Sequence, residues 1–475
     1  GVLGEADWQA QWIGAPGQDD GPLSPDGTEP PLPTPLLRKS FGVVPGRKVV
    51  SARVYVTGLG YFELYLNGEK VGRDVLAPNQ TNYDKRPGLA DCGIPVEDNF
   101  REYTVPYLAY DVTERLRSGE NVIGAMLGNG FYNVRGRWTM AYGSPRLIAQ
   151  LEIVYDDGSQ ERVVSDPTWK VAEGPVRMDQ IYAGEEYDAR CEQPGWCAPG
   201  FDDSAWQNAV SRRAPYGRLR AQNGPADRVM EVLKPVKVEN LGGGRYRVDF
   251  GETVSGWVRL HGVRGEAGRR IEIKYLSESP NGSNAYTMKG EGPEDYATRF
   301  TWYVFREVEL SGWPGELHPG QLTAEAVYSD VETTGKTVAF FYVTTAGTVS
   351  VRKSNDYVPK MIDIAGGEYV FRNLKGEDNA ASSVNMQMEE FYAQAKDADY
   401  LVYNSTIDGN LASIDDLLAK NSLFADFKAV KDGNVWCIGK NLYQDTMDTG
   451  SIIHDFHEML NSEDTDELTY MYKLK

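Results

Sequence analysis

A chain of 475 residues exceeds what one hydrophobic core supports and predicts roughly three domains. Its 49 basic and 69 acidic side chains leave a formal charge of −20, which repels phosphate backbones and argues against nucleic acid as a partner. No apolar run approaches the roughly 20 residues that span a bilayer, so no transmembrane segment is expected.

From the start, Gly1–Ala10 lack the basic end and apolar stretch of an export signal, but Gly1 is not an initiator Met, so localisation stays open. Gly14 to Pro35 is dense in Pro, Gly, Asp and Ser and reads as a loop. From Leu36 to about Tyr155 short alternating runs predict a β-sandwich: Ala52–Val56, then Tyr61–Leu66 with Asn67-Gly68 turning the chain at its end. Leu147–Tyr155 and Glu161–Val164 form a further hairpin across Asp156-Asp157-Gly158. A second β unit runs from about Glu231 to Asp330, with strands at Tyr246–Phe250, Gly256–His261, Ile271–Tyr275, Thr301–Val308 and Leu322–Tyr328 and no helix.

After Gly335 strands alternate with helices, which predicts an α/β lobe with a mainly parallel sheet. The elements are the strand Thr337–Val343, a helix Tyr357–Ala365, strand Tyr369–Phe371, the amphipathic Met386–Lys396, strand Tyr400–Tyr403, an apolar run Ile414–Leu418, strand Asn434–Cys437 and the helical Gly450–Leu460. Cys92, Cys191, Cys197 and Cys437 make no Cys-x-x-Cys spacing; a Cys191–Cys197 disulfide and reduced thiols both remain open.

Trp8–Gly14, Tyr55–Gly68, Asn79–Arg86, Tyr110–Thr113 and Asn121–Tyr132 resemble the N-terminal module of bacterial α-L-rhamnosidases, a galactose-binding-like sandwich in that family. Asp249–Val258 and Tyr286–Gly290 are similar to the family's next module, a related jelly-roll sandwich. Where the family has Gly-Phe-Arg-Tyr, this chain has Val304-Phe305-Arg306-Glu307, which puts the local packing in question. The resemblance covers about residues 5 to 335 and divides the chain into an entry segment (1–35), a first sandwich (36–229), a second (230–335) and the α/β lobe (336–475).

In that family a helical barrel supplies the catalytic carboxylates, and nothing after Gly335 resembles its acidic motif, so no catalytic residue is assigned. Inverting hydrolysis needs two carboxyl groups roughly 6.5–9.5 Å apart. Glu185-Glu186 and Asp202-Asp203 are adjacent in sequence, so on a strand they point to opposite faces, and they read as solvated surface or turn residues. Sandwich loops carrying aromatics and Asn/Asp suit sugar binding instead. The candidates are Asn79, Tyr83, Asp84, Asn129, Tyr132 and Trp138, facing a rhamnose-containing glycan. The resemblance implies calcium as a possible aid, since Asp and Asn oxygens suit that ion. In the alternative reading, Asn79 and Asn129 fill turns and Tyr83 packs against the sandwich.

Lys336–Tyr342, Met361–Phe371, Ala395–Tyr400 and Phe427–Trp436 resemble the C-terminal lobe of an ABC transporter substrate-binding protein of the iron-chelate, haem and cobalamin class. The resemblance implies a ligand cleft shared with an opposing lobe and joining helix that this stretch does not contain. Cleft candidates are Arg352, Lys353, Tyr357, Trp436 and Tyr443, with Glu389 at the place where the family docks onto a membrane permease. Arg352 and Lys353 also fit plain surface charges, and Glu389 an ordinary first-turn carboxylate. His454 and His457 lie three apart beside Asp455 and Glu458, but two ligands do not close a metal site. Two functional classes therefore compete: a carbohydrate-binding part of a glycoside hydrolase and a solute-binding subunit. The first parent is compatible with a cytoplasmic home, the second with an extracellular or cell-surface one.

Overall fold

The computed structural model describes residues 3–18, 33–84, 102–134, 142–276, 282–330, 334–354, 356–374, 382–439, 449–462 and 468–475. The chain divides into two compact units, residues 1–330 and 331–475. No described helix is long and apolar enough to cross a membrane.

The first unit is built almost wholly of strands. A seven-stranded sheet carries Val49–Leu59 between Arg146–Tyr155 and Thr104–Asp111, and a six-stranded sheet carries Gly119–Gly128 between Pro35–Val43 and Tyr61–Leu66. Alternation decides which side chains meet: Val54 and Val56 from one sheet pack with Phe62, Leu64, Ile123 and Ala125 from the other in one buried core. Tyr61–Leu66 turns into Glu69–Lys70 through Asn67 (φ 53°) and Gly68 (φ 90°), the two positive angles that a tight two-residue hairpin demands.

A third sheet of ten strands follows. The stretches expected as two strands at Tyr246–Phe250 and Gly256–His261 form one strand, Arg245–Val263, whose register shifts between Asp249 and Val254. The strand lies between Tyr303–Ser311 on one edge and Leu322–Ser329 on the other, with Gly256 paired to Tyr303 and Ala326. Val176–Gln180 and Gly184–Asp188 join this sheet as well, the latter parallel to Ser283–Thr287. Chain from the first sandwich thus completes the third sheet, a long-range pairing that local alternation does not encode.

The second unit carries a mixed sheet ordered Ser383–Met386, Val349–Arg352, Thr337–Val343, Tyr400–Asn404, Val435–Ile438 and Met471–Lys473. Its middle three strands run parallel, the outer pairings are antiparallel, and Glu368–Tyr369 adds a parallel pairing to Thr337–Val343. The sheet is therefore mixed, not mainly parallel. The hairpin Val349–Arg352 and the edge Met471–Lys473 lie in sequences too short for periodicity to reveal. Helix Tyr357–Ile364 buries Val358, Met361 and Ile362, is capped by the Asp356 carboxylate on Val358 N–H, and stops at Gly366 (φ 92°).

Candidate functional site

Five of the six expected sugar contacts fall among the described residues; Trp138 lies outside them. Asn129 follows Gly119–Gly128 and turns inward. Its backbone N–H donates to Asp179 Oδ2 at 2.7 Å and its amide to Asp179 Oδ1 at 2.8 Å, while Asn133 Nδ2 donates to Asn129 Oδ1. Asp179 faces Glu185 across the paired strands, and both carboxyl groups are buried. Burial pushes the Asp179 carboxyl up to about 7; the Asn129 donors pull against that shift and the Glu185 charge adds to it. Glu185 is also raised by burial, against hydrogen bonds from Arg299 N–H (3.0 Å) and the Tyr296 hydroxyl (2.9 Å).

Glu185 was expected in solvent and is instead interior, while its neighbour Glu186 faces outward to Arg270 at 2.8 Å. The opposite-face argument holds but the solvation one does not, because the Tyr296 hydroxyl and the Arg299 backbone meet the Glu185 carboxyl in the interior. Asp202 is exposed and Asp203 opens a turn half-buried, as expected, although its carboxylate forms an ion pair with the buried Arg38.

Tyr83 and Tyr132 are interior rings. Tyr132 stacks on Tyr142 at 5.4 Å, Tyr83 meets Tyr132 and Tyr142 edge-on at 5.6 and 5.9 Å, and the Arg146 guanidinium lies 5.3 Å from the Tyr132 ring. With about 1% and 0% exposure, neither offers a face to a sugar arriving from solvent. Asp84 is buried in an ion pair with Arg213 at 2.6 Å. The Asp84 and Asn129 side-chain oxygens are therefore engaged by Arg213 and Asn133, and no group of three His, Cys, Asp or Glu among the described residues converges on a metal position.

Asn79 is placed differently: it borders a cleft of about 400 Å³. Tyr61 and Phe131 reach this cleft from the first sandwich, and Ser255, Trp302 and Tyr328 from the third sheet. The tight path that delivers Phe131 depends on Gly130 (φ 48°), where a Cβ would come within 2.9 Å of the Tyr61 ring. Asp227 Oδ1 accepts from the Ser329 hydroxyl at 2.9 Å at the rim. Local pattern misses Phe131, Trp302 and Tyr328; Phe131 and Tyr132 sit in a turn beyond Gly119–Gly128, where the alternation of a strand does not decide which way each ring points.

A second cavity of about 300 Å³ borders Glu63, Lys70 and Arg299. Glu63 accepts from Lys70 Nζ at 2.8 Å, Arg299 Nη1 at 2.7 Å and the Tyr65 hydroxyl at 2.7 Å. Burial alone would raise this carboxyl, but the charges of Arg299 and Lys70 outweigh it and hold it at about 2.

In the second unit, Lys353 is buried and Arg352 lies 3.6 Å from Asp356 while donating to Ser382 Oγ at 2.9 Å. These are not plain surface charges. Trp436 is buried within the strand Val435–Ile438, so its ring serves the core. Tyr357 and Glu389 are exposed at helix starts, and Tyr443 lies outside the described residues. His454 is exposed, 3.9 Å from Asp455 and Glu458, and His457 Nδ1 meets the Ala365 carbonyl at 3.2 Å. Cys191 and Cys197 are free thiols; Cys92 lies outside the described residues.

The family model described as the alpha-L-rhamnosidase N-terminal domain matches residues 47–91 and 95–231, and that of the bacterial alpha-L-rhamnosidase concanavalin-like domain matches 239–328. An alpha-L-rhamnosidase of Streptomyces avermitilis is 37% identical over 311 residues, covering 62% of this chain and 28% of that protein. The crystal structure of Streptomyces avermitilis alpha-L-rhamnosidase complexed with L-rhamnose superposes with a TM-score of 0.57 at 31% identity, over 70% of this chain and 31% of that one. The alpha-L-rhamnosidase structure from Dictyoglumus thermophilum gives a TM-score of 0.60 at 33% identity, over 79% of this chain and 40% of that one. This chain thus spans well under half the length of these relatives. A substrate-binding protein of an ABC transporter from Listeria monocytogenes matches 27% of this chain and 48% of its own length, at 19% identity and a TM-score of 0.22, a weak likeness.

Proposed function

Because residues 47–91 and 95–231 belong to the α-L-rhamnosidase family as its N-terminal domain, and 239–328 as its concanavalin-like domain, we propose that the first unit is the non-catalytic, carbohydrate-binding part of an α-L-rhamnosidase-like glycoside hydrolase. Its ligand on this reading is a rhamnose-containing glycan. The observation that carries binding over hydrolysis is the state of the facing carboxyl groups. Asp179 and Glu185 are interior and hydrogen-bonded to Asn129, Tyr296 and the Arg299 backbone, so they tie strands together and do not flank a bond open to substrate.

Purified chain is expected to release no aryl alcohol from an aryl α-L-rhamnoside above background. Turnover that a single carboxylate substitution abolishes would overturn this reading. Calorimetry with L-rhamnose, run with calcium and again with a chelator, should show heat at millimolar sugar; the difference between the two runs decides the calcium proposal.

For the second unit we infer a solute-binding lobe of an iron-chelate, haem or cobalamin ABC transporter. The favouring observation is the run of three adjacent parallel strands, Thr337–Val343, Tyr400–Asn404 and Val435–Ile438, with helices following the last two. Glu389, exposed in the first turn of Met388–Ala395, is the position offered to a permease. Trp436 is too buried to report ligand contact by quenching, so an absorption titration with haem, cobalamin and a ferric siderophore is the measurement. A weak saturable shift with one of them is expected, because a single lobe gives up the contacts that closure supplies, and flat spectra with all three remove the reading.

A further inference from the structure

The geometry points to the 400 Å³ cleft, rather than to the loop residues first singled out, as the place where the first unit holds a neutral 6-deoxy pyranoside, with Trp302 as the stacking platform and Asn79 as a hydroxyl partner. The proposal rests on the carbohydrate-binding reading above and gives that reading a location and a ligand class.

Size is the first support. About 400 Å³ lies at the small end of the range for ligand pockets and admits one or two pyranose rings. The walls are the second. Tyr61, Phe131 and Trp302 supply aromatic surface of the kind that covers the C–H face of a sugar, and Leu76 and Val327 add an aliphatic wall against which a 5-methyl group loses water at no polar cost.

Uncommitted polar groups are the third support. Among the described residues the Asn79 side-chain amide, the Tyr61 hydroxyl and the Trp302 indole N–H have no hydrogen-bond partner, whereas Asn129 and Asp84 are fully occupied by protein partners. The backbone N–H of Asn79 is fixed by Gln222 Oε1 at 2.9 Å, so its amide is held at the rim and not left on a free loop. A donor and acceptor held in place without an internal partner gains from a ligand hydroxyl what an already paired group cannot. Charge is the fourth. The sole acidic or basic lining residue is Asp227, and an acidic wall disfavours uronates and phosphosugars and leaves neutral glycosides as the fitting class.

Calorimetric titration of the full chain with methyl α-L-rhamnoside and with methyl α-D-galacturonate tests the assignment. The rhamnoside should bind and the uronate bind at least tenfold more weakly. Trp302→Ala and Asn79→Ala should each weaken rhamnoside binding about tenfold while leaving the thermal transition in place. Hydrogen exchange provides a readout that needs no variant: bound rhamnoside should slow exchange at Leu76–Gln80 and Val327–Ser329. Rhamnoside binding that neither substitution weakens, with no protection at those segments, overturns the cleft assignment and leaves the carbohydrate-binding reading standing. No binding of either sugar by the unaltered chain overturns both. Equal binding of the uronate overturns the neutral-ligand class.

Discussion

Replacing Glu63 by Ala lowers the stability of the first unit by about 3–5 kcal/mol, the cost of removing one partner from a buried ion pair. Glu63 is 8% exposed and receives Lys70, Arg299 and the Tyr65 hydroxyl; without it, two cations face each other across the space the carboxylate filled. Glu63 sits in the six-stranded sheet and Arg299 beyond the strand Glu294–Ala297 of the third, so the loss loosens the join between sheets within this unit. The same group sets an acid limit. Its folded carboxyl stands at about 2 against an ordinary 4.5, so unfolding takes up a proton as pH falls. The stabilisation is full above 4.5, is lost as pH falls through about 2, and amounts to about 3 kcal/mol. Nine of the ten tryptophans precede residue 330, so urea unfolding followed by fluorescence reports on this unit. A Glu63→Ala midpoint within error of the unaltered chain, or an unaltered acid limb in the variant, would show that the ion pair is not structural.

How far the sequence disclosed this arrangement depends on the distance over which each feature is encoded. Asn67-Gly68 announces its hairpin because both residues tolerate positive φ, and the structure places both there. Alternation in Tyr61–Leu66 and Arg146–Tyr155 locates strands for an equally local reason: one face must be apolar. Glu185 illustrates the opposite case. Its strand reads as half solvated, but it lies inside the third sheet beside Ser283–Thr287, and residues about a hundred positions away, Asn284 on that neighbouring strand and Tyr296, occupy its inner side.

The site was legible by residue type and not by position. Asn79 has the chemistry of a sugar contact and does reach the cleft, but Tyr83, Asp84, Asn129 and Tyr132 have the same chemistry and spend it inside the protein. Aromatic and amide groups serve a sandwich interior as well as a sugar. Orientation separates the two uses, and in the turn after Gly128 it is set by packing: Tyr132 enters the aromatic cluster while its neighbour Phe131 meets the cleft. In the second unit the resemblance puts Trp436 among the cleft candidates, yet it lies within the strand Val435–Ile438, paired with Lys473 of the edge strand Met471–Lys473 and buried.

The first unit should also lose stability on the alkaline side, through Asp179. Its folded carboxyl stands at about 7 against an ordinary 3.8, raised first by burial, so between these values the folded protein keeps a proton that the unfolded chain has released. Stability from this group is full below 3.8, is lost progressively as pH rises, and above 7 is lower by about 4 kcal/mol. Glu185, raised as well and facing it, acts in the same direction. Asn129 is what keeps the loss from being greater, since two of its N–H groups favour the ionised form. Asp179→Asn removes the charge but turns an amide toward one of those donors, so the variant should be less stable than the unaltered chain at pH 5, by about 1–3 kcal/mol for the lost hydrogen bond, and less sensitive to pH up to 8. The two stability curves then converge as pH rises. Urea midpoints measured across this range decide it: a flat profile for the unaltered chain, or a variant that keeps the same slope, would mean that Asp179 is not the group that titrates.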